Sequence, residues 1–220
     1  MRKITLIVIL LTLTSMSTFA QSKLGLKFSP SVSSNRISLI DSLYDVEPDG
    51  SVFKFSMGLI YDHELTETYY FSTGLIFVPK QVAFMVTEEP DQPTANYTKK
   101  SPYESYRLNY LQIPVSLKLF TNEVQPDTRV FFQVGMAPEI KVFSEPTEED
   151  YDLIEEFKGF DATILFGGGV EYRAGINTTL FASVTYQRGL NNVIKTETWG
   201  FQEELYIRNT LVSFDLGIKF

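Results

Sequence analysis

Apolar and polar residues alternate with a period of two along most of the chain, and helical periodicity is nearly absent. The alternation is cleanest over Lys23–Val32, Val52–Asp62, Tyr69–Lys80, Tyr110–Leu119, Arg129–Val142, Asp161–Arg173, Leu180–Gly189 and Thr210–Phe220. These eight runs are 10 to 14 residues long. A soluble strand usually has about five or six residues, whereas a tilted strand needs about 9 to 11 to cross a bilayer. The segments Ser34–Ser51, Gln81–Asn109, Phe143–Phe160 and Leu190–Asn209 are long and rich in Pro, Asp, Glu and Asn; His63–Thr68, Phe120–Thr128 and Ala174–Thr179 are short. Long and short connections alternate strictly. The pattern predicts an all-β domain over residues 21–220, an eight-stranded antiparallel up-and-down transmembrane β-barrel. Four long loops would lie on one side, with three tight turns and both ends of the domain on the other. Outer-membrane barrels have this form, with short periplasmic turns and longer extracellular loops.

The two faces of the runs differ sharply. One row reads Leu24, Leu26, Phe28; Phe53, Phe55, Met57; Leu111, Ile113, Val115; Phe214, Leu216, Ile218, Phe220, and none of these positions is charged. The opposite row holds Lys23, Lys27, Lys54, Asp62, Lys80, Lys118, Glu139, Lys141, Asp161, Glu171, Arg173, Asp215 and Lys219 among Ser, Gly and Gln. A lysine or arginine on the lipid face costs about 2–4 kcal/mol at mid-bilayer, so the uncharged row is expected to face lipid. An eight-stranded barrel is just wide enough inside for side chains. Bulky Phe and Leu would overfill it, and paired charges such as Lys54, Glu139, Glu171 and Asp215 would plug it. Tyr61, Tyr69, Tyr172 and Phe220 fall where an interfacial aromatic girdle belongs.

The amino terminus has a positive start, Met1-Arg2-Lys3, then an apolar stretch, Ile4–Leu13, and small residues at Thr18 and Ala20 before Gln21. This is the secretory signal pattern, and residues 1–20 are expected to be removed. Composition narrows the classes further. The chain has 220 residues and no cysteine, which excludes disulfides, thiol catalysis, Cys-ligated metals and a lipoprotein anchor. The net charge is -8, which argues against a nucleic-acid partner. A mean hydropathy of -0.03 excludes a helical membrane protein, and 18 Phe, 12 Tyr and 1 Trp exclude disorder.

Three segments carry a family resemblance. Asn109-Tyr110-Leu111-Gln112-Ile113-Pro114-Val115-Ser116-Leu117-Lys118 resembles the Y-L-[EQ]-I-P-x-x-x-K strand of the PorT-like outer-membrane β-barrels of Bacteroidota, often called porin-family proteins. Tyr186-Gln187-Arg188-Gly189-Leu190-Asn191-Asn192 is similar to that family's Y-x-x-G-L-x-N segment, and the chain closes on Leu216-Gly217-Ile218-Lys219-Phe220. The resemblance implies the barrel fold, a place in the outer membrane, and association with secretion or envelope assembly. It transfers no catalytic or ligand residue.

Candidate chemistry is sparse. His63 is expected in a periplasmic turn between Asp62 and Glu64, with no nucleophile placed beside it. Gly167-Gly168-Gly169 lacks the Lys-Ser/Thr of a phosphate loop and reads as wall glycines. The acidic stretch Glu145 to Glu156 has no EF-hand spacing and reads as a solvated loop, with weak divalent-cation binding as the sharper alternative. Asn96-Tyr97-Thr98 and Asn177-Thr178-Thr179 match a glycosylation sequon that a bacterial chain would not use. No catalytic, cofactor-binding or metal residue is assigned. The expected function is a structural or interaction barrel with a filled lumen; a small-solute channel is the alternative and an outer-membrane enzyme the remote one. The expected partners are outer-membrane lipid and lipopolysaccharide, envelope or secretion proteins, and the barrel-assembly machinery, which would read the last strand ending on Phe220.

Overall fold

The computed structural model describes residues 22–38, 44–88, 103–147, 154–197 and 205–220. The signal-peptide assignment and the Asn96 sequon lie outside them. Twelve strands follow one another: β1 (Ser22–Ser38), β2 (Tyr44–Pro48), β3 (Ser51–Glu64), β4 (Tyr69–Glu88), β5 (Tyr103–Gln112), β6 (Val115–Gln125), β7 (Thr128–Pro146), β8 (Ile154–Phe157), β9 (Phe160–Arg173), β10 (Thr179–Gly189), β11 (Ile194–Glu197) and β12 (Tyr206–Lys219).

Antiparallel neighbours run β1–β3–β4–β5/β6–β7–β9–β10–β12, and β12 pairs back onto β1, closing a ring of eight walls. β5 and β6 share one wall. Pro114 has no N–H to give the ladder, so the strand is interrupted there. Its register on β4 is unchanged, with Ile76 opposite Gln112 and Thr73 opposite Val115. The register also fixes the tilt. Stepping from Leu24 through Tyr61, Thr73, Val115, Met136, Ile164, Arg188 and Thr210 returns to β1 at Ser34, ten residues along. A shear of that size in an eight-stranded barrel goes with strands tilted by about 35–45° and a lumen that side chains can fill.

The three connections at one end are tight. Between β6 and β7 the turn is Pro126-Asp127, and Asp127 takes the left-handed φ of 60°, which Asp tolerates better than most residues. In the wall, close strand approach demands glycine. A Cβ on Gly217 would strike both the Leu26 carbonyl and the Phe181 ring.

The uncharged row faces outward, as its composition requires: Leu26, Phe28, Phe55, Met57, Phe132 and Phe214 are all exposed from the wall, while Asp62, Lys80, Glu139 and Lys219 are buried inside. Tyr69, Tyr172 and Phe220 are exposed at the turn end.

The walls are longer than the alternation predicts. β1 continues past Val32 to Ser38, β4 past Lys80 to Glu88 and β7 past Val142 to Pro146, while β5 begins at Tyr103 and β12 at Tyr206. Part of each long loop is therefore wall. β2 extends the β3 wall, pairing with Phe84–Glu88 of β4. β8 and β11 pair with each other as a separate two-stranded ribbon.

Candidate functional site: the luminal ion pairs and their cap

Long charged side chains from opposite walls meet in the lumen because the barrel is narrow. In the turn half, Asp62 of β3 accepts from Lys118 Nζ of β6 at 2.8 Å, from Lys219 Nζ of β12 at 2.5 Å and from Ser72 Oγ of β4 at 2.5 Å. Lys219 also donates to Glu171 of β9. Two carboxylates and two lysines thus balance, and together with Ser72 they join five of the eight walls. The Phe181 ring lies 5.1 Å from Lys219 Nζ and 5.8 Å from Lys118 Nζ, which adds a favourable ring face to each cation. Below this layer Tyr70, Phe120 and Phe131 pack together, and the Arg129 guanidinium stacks 4.5 Å from the Phe120 ring.

At mid-height Lys27 of β1 meets Asp215 of β12 at 2.9 Å, and Thr185 Oγ1 donates to the same carboxylate at 2.6 Å. Higher up Lys80 of β4 meets Glu139 of β7 at 2.5 Å. Gln112 Nε2 donates to Glu139 at 2.6 Å and to Gln187 Oε1 at 2.7 Å, so one amide links β5, β7 and β10. Asp161 stands directly opposite Glu139 in the register and shares the field of Lys80 without a direct ion pair to it. One of its oxygens accepts from the Ala162 N–H at 2.7 Å. A void of about 30 Å³ remains among Lys27, Gln112, Lys118, Gln133 and Asp215, room for about two waters at most.

Above these pairs the interior turns apolar. Val82 and Phe84 of β4, Tyr106, Leu108 and Tyr110 of β5 and Ile207 of β12 form one buried cluster with Ile154 and Phe157 of β8 and Val193 and Ile194 beside them. The β8–β11 ribbon is thereby folded onto the inner faces of the walls as a cap. The Lys141 ammonium donates to the Phe157 carbonyl at 2.6 Å, and the Ile154 N–H donates to the Tyr106 hydroxyl at 3.3 Å.

The sequence expectations are met unevenly. Glu139, Glu171 and Asp215 do pair inside, but Lys54 does not; their partners are Lys80, Lys219 and Lys27. Lys54 is only half-buried, with Arg107 as its charged neighbour. His63 lies at the end of β3 rather than in a turn, and its Nδ1 is 2.9 Å from Ser22 Oγ, a serine the spacing could not place there. That serine also bonds the Tyr61 hydroxyl at 2.8 Å. Among the described residues no carboxylate is hydrogen-bonded to the His63 imidazole, where a catalytic triad would have one to orient it. Gly167, Gly168 and Gly169 sit mid-wall in β9, opposite Thr185, Val184 and Ser183. In the acidic stretch Glu145 belongs to β7 and bonds Arg107 at 2.8 Å, and Glu156 belongs to β8 and bonds Lys195 at 2.8 Å. Asn177 is exposed in the β9–β10 turn.

The three segments that carry the family resemblance converge on the lumen. Gln112 comes from the first, Gln187 from the second and Lys219 from the third, and the first two are hydrogen-bonded to each other.

A closed ring of eight tilted strands, apolar outside and charged inside, defines a membrane-spanning β-barrel. The model of the outer membrane protein beta-barrel domain family matches residues 19–195, and the chain belongs to that family. It is an outer-membrane protein. Among solved structures it is similar to OprG from Pseudomonas aeruginosa, with a TM-score of 0.55 and 8% identity over 91% of this chain and 97% of OprG. Neisserial surface protein A aligns with a TM-score of 0.48 and 11% identity, over 91% of this chain and 97% of that one. The OprG likeness is one of fold. No curated protein matches the chain in sequence.

Proposed function

We propose that this protein is a closed barrel of structural or interaction type, which acts through its rims and outer surface rather than by conducting solute. The observation that carries the reading is the Asp62–Lys118–Lys219–Glu171 network across the lumen, topped by the apolar cap. Opening a path would strand buried charges, and breaking such a pair costs about 3–5 kcal/mol. The short turns face the periplasm and the long loops the exterior, the usual sense of an outer-membrane barrel. We further read the chain as PorT-like, with envelope or secretion proteins as partners. Assembly machinery would recognise β12 through outward Phe214, Leu216, Ile218 and Phe220, and outer-leaflet lipopolysaccharide would contact the wall.

Planar-bilayer recording with the purified, heat-modifiable protein tests the closed lumen. The expected result is a silent bilayer. Stable conductance steps at low voltage would overturn the reading and favour a small-solute channel.

A further inference from the structure

Three arginines break the uncharged outer row at its loop end. Arg36 of β1 stands directly opposite Arg208 of β12, and Arg188 of β10 stands opposite Thr210, one outward step below. Like charges directly opposite on neighbouring strands destabilise a sheet, yet here they are drawn closer. Arg36 reaches across β12, donating through Nε to Thr210 Oγ1 at 3.2 Å and through Nη2 to the Gly189 carbonyl at 2.8 Å. Its guanidinium is thereby brought next to the start of the Arg188 side chain, and Arg188 and Arg208 both act on it electrostatically. Among the described residues no acid pairs with the cluster: the exposed ion pairs engage Arg107, Arg173 and Lys195 instead. Arg208 Nε has no partner, and Tyr186 and Tyr206 flank the group on the same face.

Depth identifies the occupant. From outward Phe220 at the turn end to outward Thr210 is ten residues of β12, about 25 Å along the barrel axis at ~3.3 Å per residue and a tilt near 40°. That matches the height of a barrel's apolar band, about 25 Å. Arg36, Arg188 and Arg208 therefore lie at the far edge of the band, where headgroups begin. Guanidinium forks match phosphate oxygens bidentately, with planar geometry that lysine lacks.

We propose that Arg36, Arg188 and Arg208 form a binding site for the phosphorylated headgroup of an outer-leaflet lipid, lipid A. The site deepens the lipopolysaccharide contact named above and rests on the loop end facing outward. It does not depend on whether the lumen is closed.

The test is native mass spectrometry of the folded barrel in detergent, titrated with bisphosphorylated lipid A, with dephosphorylated lipid A and with inorganic phosphate. The wild-type protein is expected to retain only the phosphorylated lipid, and inorganic phosphate at equal concentration should not displace it. The combined variant R36Q/R188Q/R208Q, still heat-modifiable, should retain it at least about tenfold less. Should that variant fail to fold, Arg188→Gln alone serves, because Arg188 makes no hydrogen bond among the described residues; a several-fold loss is expected. Equal retention by wild type and variant overturns the site, as does equal retention of the dephosphorylated lipid. Displacement by free phosphate would mark a simple anion site and overturn the lipid assignment. Conductance in planar bilayers would overturn the closed-lumen reading and leave this one standing.

Discussion

The two halves of the lumen solve opposite problems with the same walls. Along β12 the turn half turns Lys219, Asp215 and Ser213 inward and Phe220, Ile218, Leu216 and Phe214 outward. Beyond Thr210 the sense reverses, with Ile207 inside and Arg208 outside. Where lipid surrounds the wall, the apolar row must face out and the polar remainder must be satisfied within. Where water surrounds it, the interior can be an ordinary apolar core, and the β8–β11 ribbon completes it. Stability is consequently of different kinds. The ionic half joins distant walls, so its loss should be felt by the whole barrel. The apolar half holds a cap on walls that stand without it.

The largest expected effect comes from breaking the ionic half at its hub. Asp62→Ala leaves Lys118 and Lys219 without their shared carboxylate in a buried lumen. A loss of about 3–5 kcal/mol is expected, read as a fall in the temperature at which the folded band disappears from detergent gels. A variant that melted with the wild type would show that the network does not hold the walls together.

In the cap, Phe157→Ala removes a buried ring that packs edge-on to Tyr106, with centroids 5.1 Å apart. About 3 kcal/mol should be lost, but locally. Hydrogen exchange should quicken in β8 and β11, while the barrel melts close to the wild-type temperature. Global melting shifted as far as in Asp62→Ala would erase the distinction between the halves.

Much of this inversion was hidden in the sequence by the same alternation that revealed the barrel. A period-two reading needs one face to stay apolar, and the predicted strands stop where the faces trade polarity: at Val32, Lys80 and Val142, and before Tyr110 and Thr210. Residues 82–86, with apolar side chains on successive positions, show no alternation and so read as loop, although Val82, Phe84 and Val86 are an inner face. The ring, the outward row and the identities of most luminal charges were legible, because lipid imposes one rule on every strand. The pairing was not. That Lys80 meets Glu139, and that Asp161 stands opposite Glu139 without an ion pair of its own among the described residues, follow from inter-strand register, which residue spacing along one chain does not specify. The Arg36–Arg188–Arg208 cluster was missed for the same reason, since the three lie on separate strands and only the register brings them together.

Asp161 offers a smaller test at the boundary between the halves. It adds a second carboxylate directly opposite Glu139, where one lysine serves both. Asp161→Asn keeps an oxygen for the Ala162 N–H and removes the repulsion, so stability should stay level or rise by about 0–1 kcal/mol. A clear loss would show that the attraction of Lys80 for the Asp161 charge outweighs that repulsion, and that the charged layer extends higher than the Lys80–Glu139 pair.

The smallest expected effect lies on the cap's surface. Glu156 of β8 and Lys195 of β11 join the ribbon's two strands in the open, where such pairs add little and are screened by salt. The Lys195 hydrogen bond holds the Glu156 carboxyl below its ordinary value of 4.5. A carboxyl lowered in the folded state contributes stability that is present above the ordinary value and is lost as pH falls through the lowered one. Acidification below 4.5 should therefore speed exchange at the Thr196 amide relative to its intrinsic rate, with the luminal amides of β12 unaffected. Lys195→Met should remove that extra pH dependence and match the effect of high salt at neutral pH. If the variant keeps the full pH response, the Glu156–Lys195 pair is not its source, and the ribbon is held by its apolar packing and by the Lys141 and Ile154 hydrogen bonds. That outcome would make the division between an ionic barrel and an apolar cap sharper still.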